Sequence, residues 1–569
     1  MSGRRIGVYV CHCGGNISDY VDVGAVIDAI KDEPDVVVAR EAMFTCSDAT
    51  QQEIIADIAG QHLDGLVVAS CSPKLHTFTF RDVARRAGLN PYEYTQVNIR
   101  EQCSWAHTDD ADGATRKAIR LVRAGTAGTR TSVALEPTTV ETTQRVLVIG
   151  GGVTGMRAAI GLADIGLGVV LVEREEALGG HVGDLGAMFP HAKTGVALIG
   201  RLRQEIAGRP AITVFTSAEL AARSGTYGNY HVVVRTPGGA VELDVGQIVV
   251  ATGFESYQPP VGEHGYGTAG VLTLPELEQL LDQGDGPLVY GGKAVASIAY
   301  IYCVGSREAA HSYCSRFCCS AAVHMSLRVA ERVPSARQYH LYREMRTYGR
   351  NEEMLSESRQ RGSVYIKFAD DEPPRVDSAN RQTSVTVRDL LTAGEELTVA
   401  VDLVVLVTGM VPRPNEELVG VLKLPVGQDG FFNEIHPKLR PVETVVDGAL
   451  ICGTCQGPKT SAESVASGLA AVAQVAAVLK RGVAELDPQV AIVTASTCDG
   501  CGMCVDACPF AAITMMGEDG ARFAAIDPTG CKGCGACVPV CPVDAIDLAG
   551  YTDVRIRGMI DALATGPAR

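Results

Sequence analysis

Two stretches near the end of the chain, CDGCGMCVDACP (498–509) and CKGCGACVPVCP (531–542), share the spacing C-x2-C-x2-C-x3-C-P at a 33-residue offset. The repeat extends into the trailing FAAITM and VDAIDL. Eight thiols so spaced must gather round metal rather than line a core. Zinc also takes CxxC pairs, but two runs of four with paired prolines favour iron–sulfur clusters. The remaining cysteines, out of 19 in 569 residues, need the same question asked of them. The start, MSGRRIGVYVCHC, has paired arginines and no apolar run of signal length, so no export signal is expected. Reduced, metal-bound thiolates in the cytoplasm are then a better expectation than disulfides.

The repeat resembles the bacterial two-cluster ferredoxin pattern, in which each fourth cysteine crosses to the other cluster. That resemblance implies Cys498, Cys501, Cys504 and Cys541 on one 4Fe–4S cluster, and Cys531, Cys534, Cys537 and Cys508 on the other.

Residues 1–143 alternate strand-like runs (IGVYV, DVVVAREAMF, DGLVVAS, YEYTQVNI) with helical patterns, which predicts a small parallel sheet with crossover helices. Each strand runs into cysteine: Cys11 and Cys13, then Cys46, Cys71 and Cys103. Parallel strands share a C-terminal edge, where α/β folds keep their sites. Buried structural cysteines are the plainer alternative. Repeated placement at strand ends favours a cluster held by four of the five. The polar segment 125–144, GTAGTRTSVALEPTTVETTQ, reads as a linker.

A strand RVLVI then leads into GGGVTG, where Gly150, Gly152 and Gly155 complete G-x-G-x-x-G around Val153 and Thr154, ahead of a helical run. The next strand, VVLVE, ends at Glu173. Strand, glycine loop, helix and a later acid form a dinucleotide fingerprint: helix N-terminus on the pyrophosphate, carboxylate on the ribose. The continuation past Arg174 to Gly179, Gly180 and His181 resembles FAD proteins of the thioredoxin-reductase type. QIVVATGF, with Ala251, Thr252 and Gly253, matches that family's return strand, and DLVVLVTGMVPRPN (402–415) matches its counterpart. ICGTCQGPKT, with Gly453, Thr454, Lys459 and Thr460, matches the closing element beneath the flavin, with Thr454 where that family usually has Asp. Lys459 is a candidate to stabilise the reduced flavin's charge, a plain surface lysine being the alternative.

The insertion 256–404 should be the nicotinamide subdomain of such a protein. Its opening strand, KAVASIAYIY (293–302), is followed by CVGSREAAHSYCSRFCC rather than a glycine loop. Backbone N–H groups cradle a pyrophosphate, whereas thiolates repel it. Cys303, Cys314, Cys318 and Cys319 therefore predict a further cluster site, beside the flavin; a redox-active disulfide is the alternative.

Over nearly its whole length the chain resembles the A subunit of heterodisulfide reductase and its bacterial relatives. VYVCHCGGNI, ASCSPKLH, NIREQCSW, CVGSRE with YCSRFCC, YREMRTYGRNEE and CQGPK carry the resemblance. It implies an FAD-centred oxidoreductase subunit that distributes electrons between a hydrogenase, dehydrogenase or ferredoxin donor and B- and C-like subunits, as a homodimer within a larger complex. In some members the flavin bifurcates electron pairs. Residues 255–283 contain no cysteine, so the extra ferredoxin module of larger archaeal members is missing. The chain also lacks the Cys-Cys-Gly motifs of the disulfide-reducing subunit.

The expected fold is thus multidomain α/β: an N-terminal parallel α/β iron–sulfur domain (1–143), then a thioredoxin-reductase-like, two-dinucleotide-type FAD fold. That fold divides into a first FAD-binding Rossmann segment (144–255), a degenerate nicotinamide-type subdomain (256–404) and a second FAD-binding segment (405–485). An α+β two-cluster ferredoxin domain (486–548) and a tail (549–569) follow, the tail being either a docking helix or a solvated end. About four 4Fe–4S clusters and one FAD are expected. A net charge of −16 argues against nucleic acid, and the apolar run at 467–479 is too short to span a bilayer. Two rival functions remain: a direct NAD(P)H reductase of the glutamate-synthase-small-subunit type, and a passive relay scaffold.

Overall fold

The computed structural model describes residues 3–189, 193–284, 286–379, 382–518 and 522–564. They form two compact units, residues 1–140 with 485–569, and residues 141–484.

In the first unit, β1 (Ile6–Cys11), β2 (Val36–Ala42), β3 (Gly65–Ser70) and β4 (Tyr94–Asn98) make a parallel sheet in the order β2-β1-β3-β4. The helices α1 (Val23–Ile30), α2 (Asp48–Gly60), α3 (Pro73–Arg86) and α4 (Ala111–Arg130) cover it. β1 and β3 are buried on both faces, as an all-parallel sheet requires, and so read as unbroken apolar runs. α4 corrects the linker reading of 125–144, because the helix continues to Arg130. Its glycines permit close approach rather than flexibility. A Cβ on Gly125 would lie 2.3 Å from Val97, and one on Gly128 2.9 Å from the Met559 sulfur.

Met559 belongs to the helix Asp553–Ala564, so the tail is a docking helix, laid on α4. Buried Arg555 anchors it, donating to Thr95 Oγ1 (3.0 Å) and to the Gly550 carbonyl (2.7 Å). Removing charged donors from such partners costs about 1–3 kcal/mol. Arg555→Ala is therefore expected to lower the unfolding midpoint and expose the tail to protease, as differential scanning fluorimetry and limited proteolysis would read. The ferredoxin-like segment lies in the same unit, held to α3 where Arg81 meets Gln489 (2.9 Å) and Asp487 (3.4 Å).

The second unit repeats one plan. Its first half has a five-stranded parallel sheet, ordered Ala449–Ile451, Gln247–Val250, Arg145–Ile149, Gly168–Val172, Ile212–Phe215. A three-stranded antiparallel sheet (219–245) accompanies it. Alternation along Arg145–Ile149 sends Val146 and Val148 to one core, shared with α5 (Val153–Asp164), and Leu147 and Ile149 to the other. The second half has strands Val271–Thr273, Leu403–Thr408, Ser297–Val304, Arg337–Tyr342 and Val364–Lys367, with its own antiparallel sheet (375–401). Leu403–Thr408 thus completes the second sheet, past the boundary expected at 404. A two-stranded ribbon, Phe254–Ser256 with Met410–Pro412, joins the halves.

The helix Ser461–Leu479 is longer than the apolar run read from sequence, and by length and composition it could cross a membrane. In the fold it packs on α5, where Gly468 lets Thr154 approach and Val472 meets Gly161. Thr460 and Glu463 close a capping box at its start.

Candidate flavin and iron–sulfur centres

The glycine loop is shaped by contact. Gly150 adopts φ +107°, and a Cβ there would sit 2.3 Å from the Ala251 carbonyl. A Cβ on Gly155 would sit 1.8 Å from the Gly150 carbonyl. Gly152 differs: its nearest neighbour is Gly180 Cα at 4.0 Å, so its face of the loop is open, as backbone approach to a pyrophosphate needs. Gly179 N–H donates to the Gly151 carbonyl (2.8 Å), with Gly179 and Gly180 at positive φ. Glu173 accepts from the N–H of Gly151 (2.6 Å) and of Glu175 (2.9 Å), leaving a lone pair on each oxygen for a ribose.

Thr252 Oγ1 is buried with no hydrogen-bond partner among the described residues, an orphan that a bound cofactor would satisfy. His181 Nε2 donates to the Phe254 carbonyl (2.8 Å) and its ring lies 4.6 Å from that of Phe254. Arg413, which the motifs did not reveal, donates to the same carbonyl (3.0 Å) and borders Gly253 with Thr454. Burial, then nearby Arg174, lowers its pKa. Arg174 itself pairs with Glu175 (3.2 Å) and Glu255 (3.6 Å). Thr154 turns into the packing against Gly453, and Thr460 is spent on its cap. Lys459 is no plain surface lysine: Nζ donates to the Gly453 carbonyl (3.2 Å) and Gln456 (3.3 Å), and burial lowers its pKa. The open loop, the orphan hydroxyl and the half-buried cation fit FAD.

The second half brings Cys303, Cys314, Cys318 and Cys319 together where the second glycine loop would stand. Cys303 lies near the end of its strand at φ +64°, beside a register break between Ile301 and Val304. The helix Cys318–Arg332 follows. Cys318 donates to Cys319, which raises the former's pKa and lowers the latter's to about 7. Burial and the neighbouring Cys319 push Cys303 up to about 11. Arg316 ties this loop to the closing element: it donates to the Pro458 carbonyl (3.1 Å) and meets Glu463 at 2.6 Å.

The rim of the first sheet carries the five cysteines, with Cys11, Cys13 and Cys103 in one packed core. Burial, then Cys11, raises the Cys46 thiol, with Cys13 adding to it. Burial raises Cys71 to about 12, countered by Arg100 and reinforced by Cys13 and Cys11. Cys103 is pushed to about 11 by burial and eased by Lys117, with no cysteine acting on it among the described residues. The π-turn Arg100–Ser104 directs it into the core beneath α1 and α4. Cys46 and Cys71 thus each feel Cys11 and Cys13, while Cys103 shares a packed core with Cys11 and Cys13. Arg100, also missed by the motifs, donates to Cys13 Sγ (3.4 Å) from the face of Trp105.

In the ferredoxin-like segment, a cavity is lined by Cys508 together with Cys531, Cys534 and Cys537, the crossed set that the pattern implies. Burial, then Cys498 and Cys501, raises Cys504; Cys537 responds likewise to burial, Cys531 and Cys534. The halves mirror each other: Ala512 N–H donates to Cys508 Sγ (3.3 Å), and Ala545 N–H to Cys541 Sγ (3.2 Å). Among the described residues no group of three Cys, His, Asp or Glu is drawn tightly enough to hold a single metal ion. The other two cysteines, Cys452 and Cys455, are buried in opposite faces of the flavin-half sheet.

A dinucleotide fold joined to repeated four-thiol groups defines an iron–sulfur flavoprotein of the oxidoreductase class. A family model described as pyridine nucleotide-disulphide oxidoreductase matches residues 144–299, and one described as 4Fe-4S dicluster domain matches 497–545. The second form of the iron-sulfur A subunit of CoB–CoM heterodisulfide reductase from Methanopyrus kandleri is 36% identical over 91% of this chain and 92% of its own length. The corresponding A subunit of Methanocaldococcus jannaschii is 33% identical over 98% of both chains. The A subunit of the H(2):CoB-CoM heterodisulfide,ferredoxin reductase of Methanothermobacter thermautotrophicus is 33% identical over 91% of this chain and 92% of its own. Among solved structures, T. acidophilum thioredoxin reductase aligns with 14% identity and a TM-score of 0.42, over 59% of this chain and 98% of that one. The chain belongs to the heterodisulfide reductase A-subunit family.

Proposed function

We propose that this chain distributes electrons within a cytoplasmic heterodisulfide-reductase-type complex, receiving them from a donor subunit or ferredoxin and passing them to B- and C-like partners. The observation that carries the reading is the four-thiol loop at Cys303–Cys319, standing in the place of a nicotinamide site and tied by Arg316 to the closing element. FAD, when bound, supplies the conversion between electron pairs and single electrons, and the clusters supply the one-electron steps. The chain's own residues set the stage: Gly152 opens the phosphate face, Thr252 offers a buried hydroxyl, and Lys459 holds a positive charge near the closing element.

Relatives' names cite different donors, hydrogen in one and ferredoxin with F420H2 in another, which supports a common subunit whose partners choose the donor. Nineteen unpaired cysteines support a reducing compartment. Splitting of electron pairs at the flavin is the finer form of the proposal, supported by several separate thiol groups that offer more than one exit. A homodimer within the complex completes it.

Anaerobic protein should contain about four 4Fe–4S clusters and one FAD, as cysteine grouping implies. In stopped flow, NADH or NADPH should leave the isolated chain's flavin absorbance unchanged while a reduced ferredoxin bleaches it. Prompt bleaching by a pyridine nucleotide would overturn the reading in favour of a direct NAD(P)H reductase. Iron-loaded protein without flavin would favour a passive relay.

A further inference from the structure

The four thiols at Cys303–Cys319 come from two places. Cys303, Cys318 and Cys319 are buried in one packed core of the second half, at a strand end and a helix start. Cys314 is only half-buried and comes from the loop between them. The residues on either side of it reach to the ribbon that joins the two halves. Tyr313 Oη donates to the Met410 carbonyl (3.0 Å), and buried Ser315 Oγ accepts from the Met410 N–H (2.8 Å). One ribbon residue is thus held by both neighbours of the thiol. The fit is close: a Cβ on Gly409 would lie 2.7 Å from Ser315 Oγ and 2.9 Å from the Gly305 carbonyl. Inside the loop, Ser306 Oγ donates to the Tyr313 carbonyl (3.0 Å) and accepts from the Ser315 N–H (3.2 Å). The Tyr313 ring meets buried Phe431 edge-on, centroids 5.4 Å apart. The next residue, Phe432, donates its N–H to the Cys455 carbonyl (2.9 Å) in the closing element. Beyond Ser315, Arg316 takes a left-handed φ of +61°, with its N–H turned back on Cys314 Sγ (3.3 Å) and its side chain on the Pro458 carbonyl. A non-glycine residue persists in that conformation only where its surroundings over-determine it.

We propose that Tyr313 and Ser315 are positioning residues that seat Cys314 toward the flavin half, making it the ligand through which an electron enters this cluster. The inference deepens the electron-distribution reading and rests on a 4Fe–4S cluster being held by these four thiols. Three ligands fixed in the second half's own core would place a cluster without regard to the flavin half. The fourth is the one whose neighbours are bonded to the ribbon, to Phe431 and to the closing element. Its sulfur is therefore linked to the flavin half by hydrogen bonds and a short stretch of chain. Electronic coupling fades faster through empty space than through bonded contacts, so the ligand with such a route carries the transfer. In the step concerned one electron leaves the flavin and one enters the cluster. The thiolate binds no proton, and the phenol and hydroxyl are neither oxidised nor reduced.

The test uses the anaerobic, fully loaded chain. A laser flash excites the reduced flavin, and arrival of the electron at the clusters is followed by transient absorption, with Cys314→Ala marking the phase that belongs to this site. Ser315→Ala, which leaves the Met410 N–H unmet, and Tyr313→Phe, which keeps the ring on Phe431, are expected to slow that phase severalfold. Iron, flavin and the midpoints of an EPR-monitored titration should match wild type, because no charge changes. Hydrogen exchange should show the Met410 amide losing protection in Ser315→Ala but not in Tyr313→Phe, whose lost contact is to the carbonyl. An unchanged rate in both variants overturns the positioning role while leaving the cluster. So does a slower phase with a shifted midpoint, since driving force would then explain it. Should Ser315→Ala lose its iron, the rate in Tyr313→Phe decides. If Cys314→Ala keeps all its iron and every EPR signal, Cys314 holds no cluster, and the role falls together with the reading beneath it.

Discussion

Gly155→Ala is expected to empty the protein of flavin and to cost the flavin half about 1–3 kcal/mol or more, the range for overfilling a packed site. The added methyl would lie 1.8 Å from the Gly150 carbonyl, a backbone atom inside the turn itself, so no side chain can swing away to relieve it. Helix and strand must move apart, and the loop loses its shape. Gly152→Ala is the informative contrast. Its methyl meets nothing nearer than Gly180 Cα at 4.0 Å, and its φ of −73° suits alanine. Flavin-free Gly152→Ala should therefore melt with the flavin-free wild type, yet fail to bind FAD because the methyl occupies the pyrophosphate's approach. Absorbance at the flavin band and melting of both apoproteins separate the effects. Flavin retained by Gly155→Ala would contradict the packing argument.

The second large effect is expected from Cys318→Ser. It removes the thiol that donates to Cys319, within a buried set that also includes Cys303. Iron should fall by roughly a quarter if four clusters are present. Flavin should stay, because the glycine loop and closing element are untouched. Electron delivery from a reduced donor to the partner subunits should fall to background, measured as turnover in the reconstituted complex. Cys103→Ala is the matched control: among the described residues no cysteine acts on that thiol, although it is buried in the same packed core as Cys11 and Cys13. It should keep all its iron, and loss of a cluster there would show that Cys103, rather than one of its neighbours, is a ligand.

Much of this was legible because the chemistry is local in sequence. The glycine loop sits between its strand and helix within a few residues, and each thiol group is announced by a strand end or a repeated spacing. The rest depended on closure of the fold. Arg413 gains its place only when the ribbon Met410–Pro412 pairs with Phe254–Ser256. Cys103 resembles its four neighbours in sequence, and only the fold shows a π-turn carrying it into the core that Cys11 and Cys13 also line. The glycines of α4 read as a linker because the same residue serves flexibility and tight packing. Val97 and Met559, the residues that decide between the two, are remote in sequence.

Arg316, fastened to the Pro458 carbonyl and to Glu463, has a consequence for how this molecule moves. A reductase that admits and discharges a diffusing coenzyme profits from a hinge between its halves. A wire does not, since tunnelling between fixed centres fades steeply with every ångström of separation. If the chain relays electrons as proposed, the guanidinium serves as a bolt across that seam, holding the cysteine loop against the closing element.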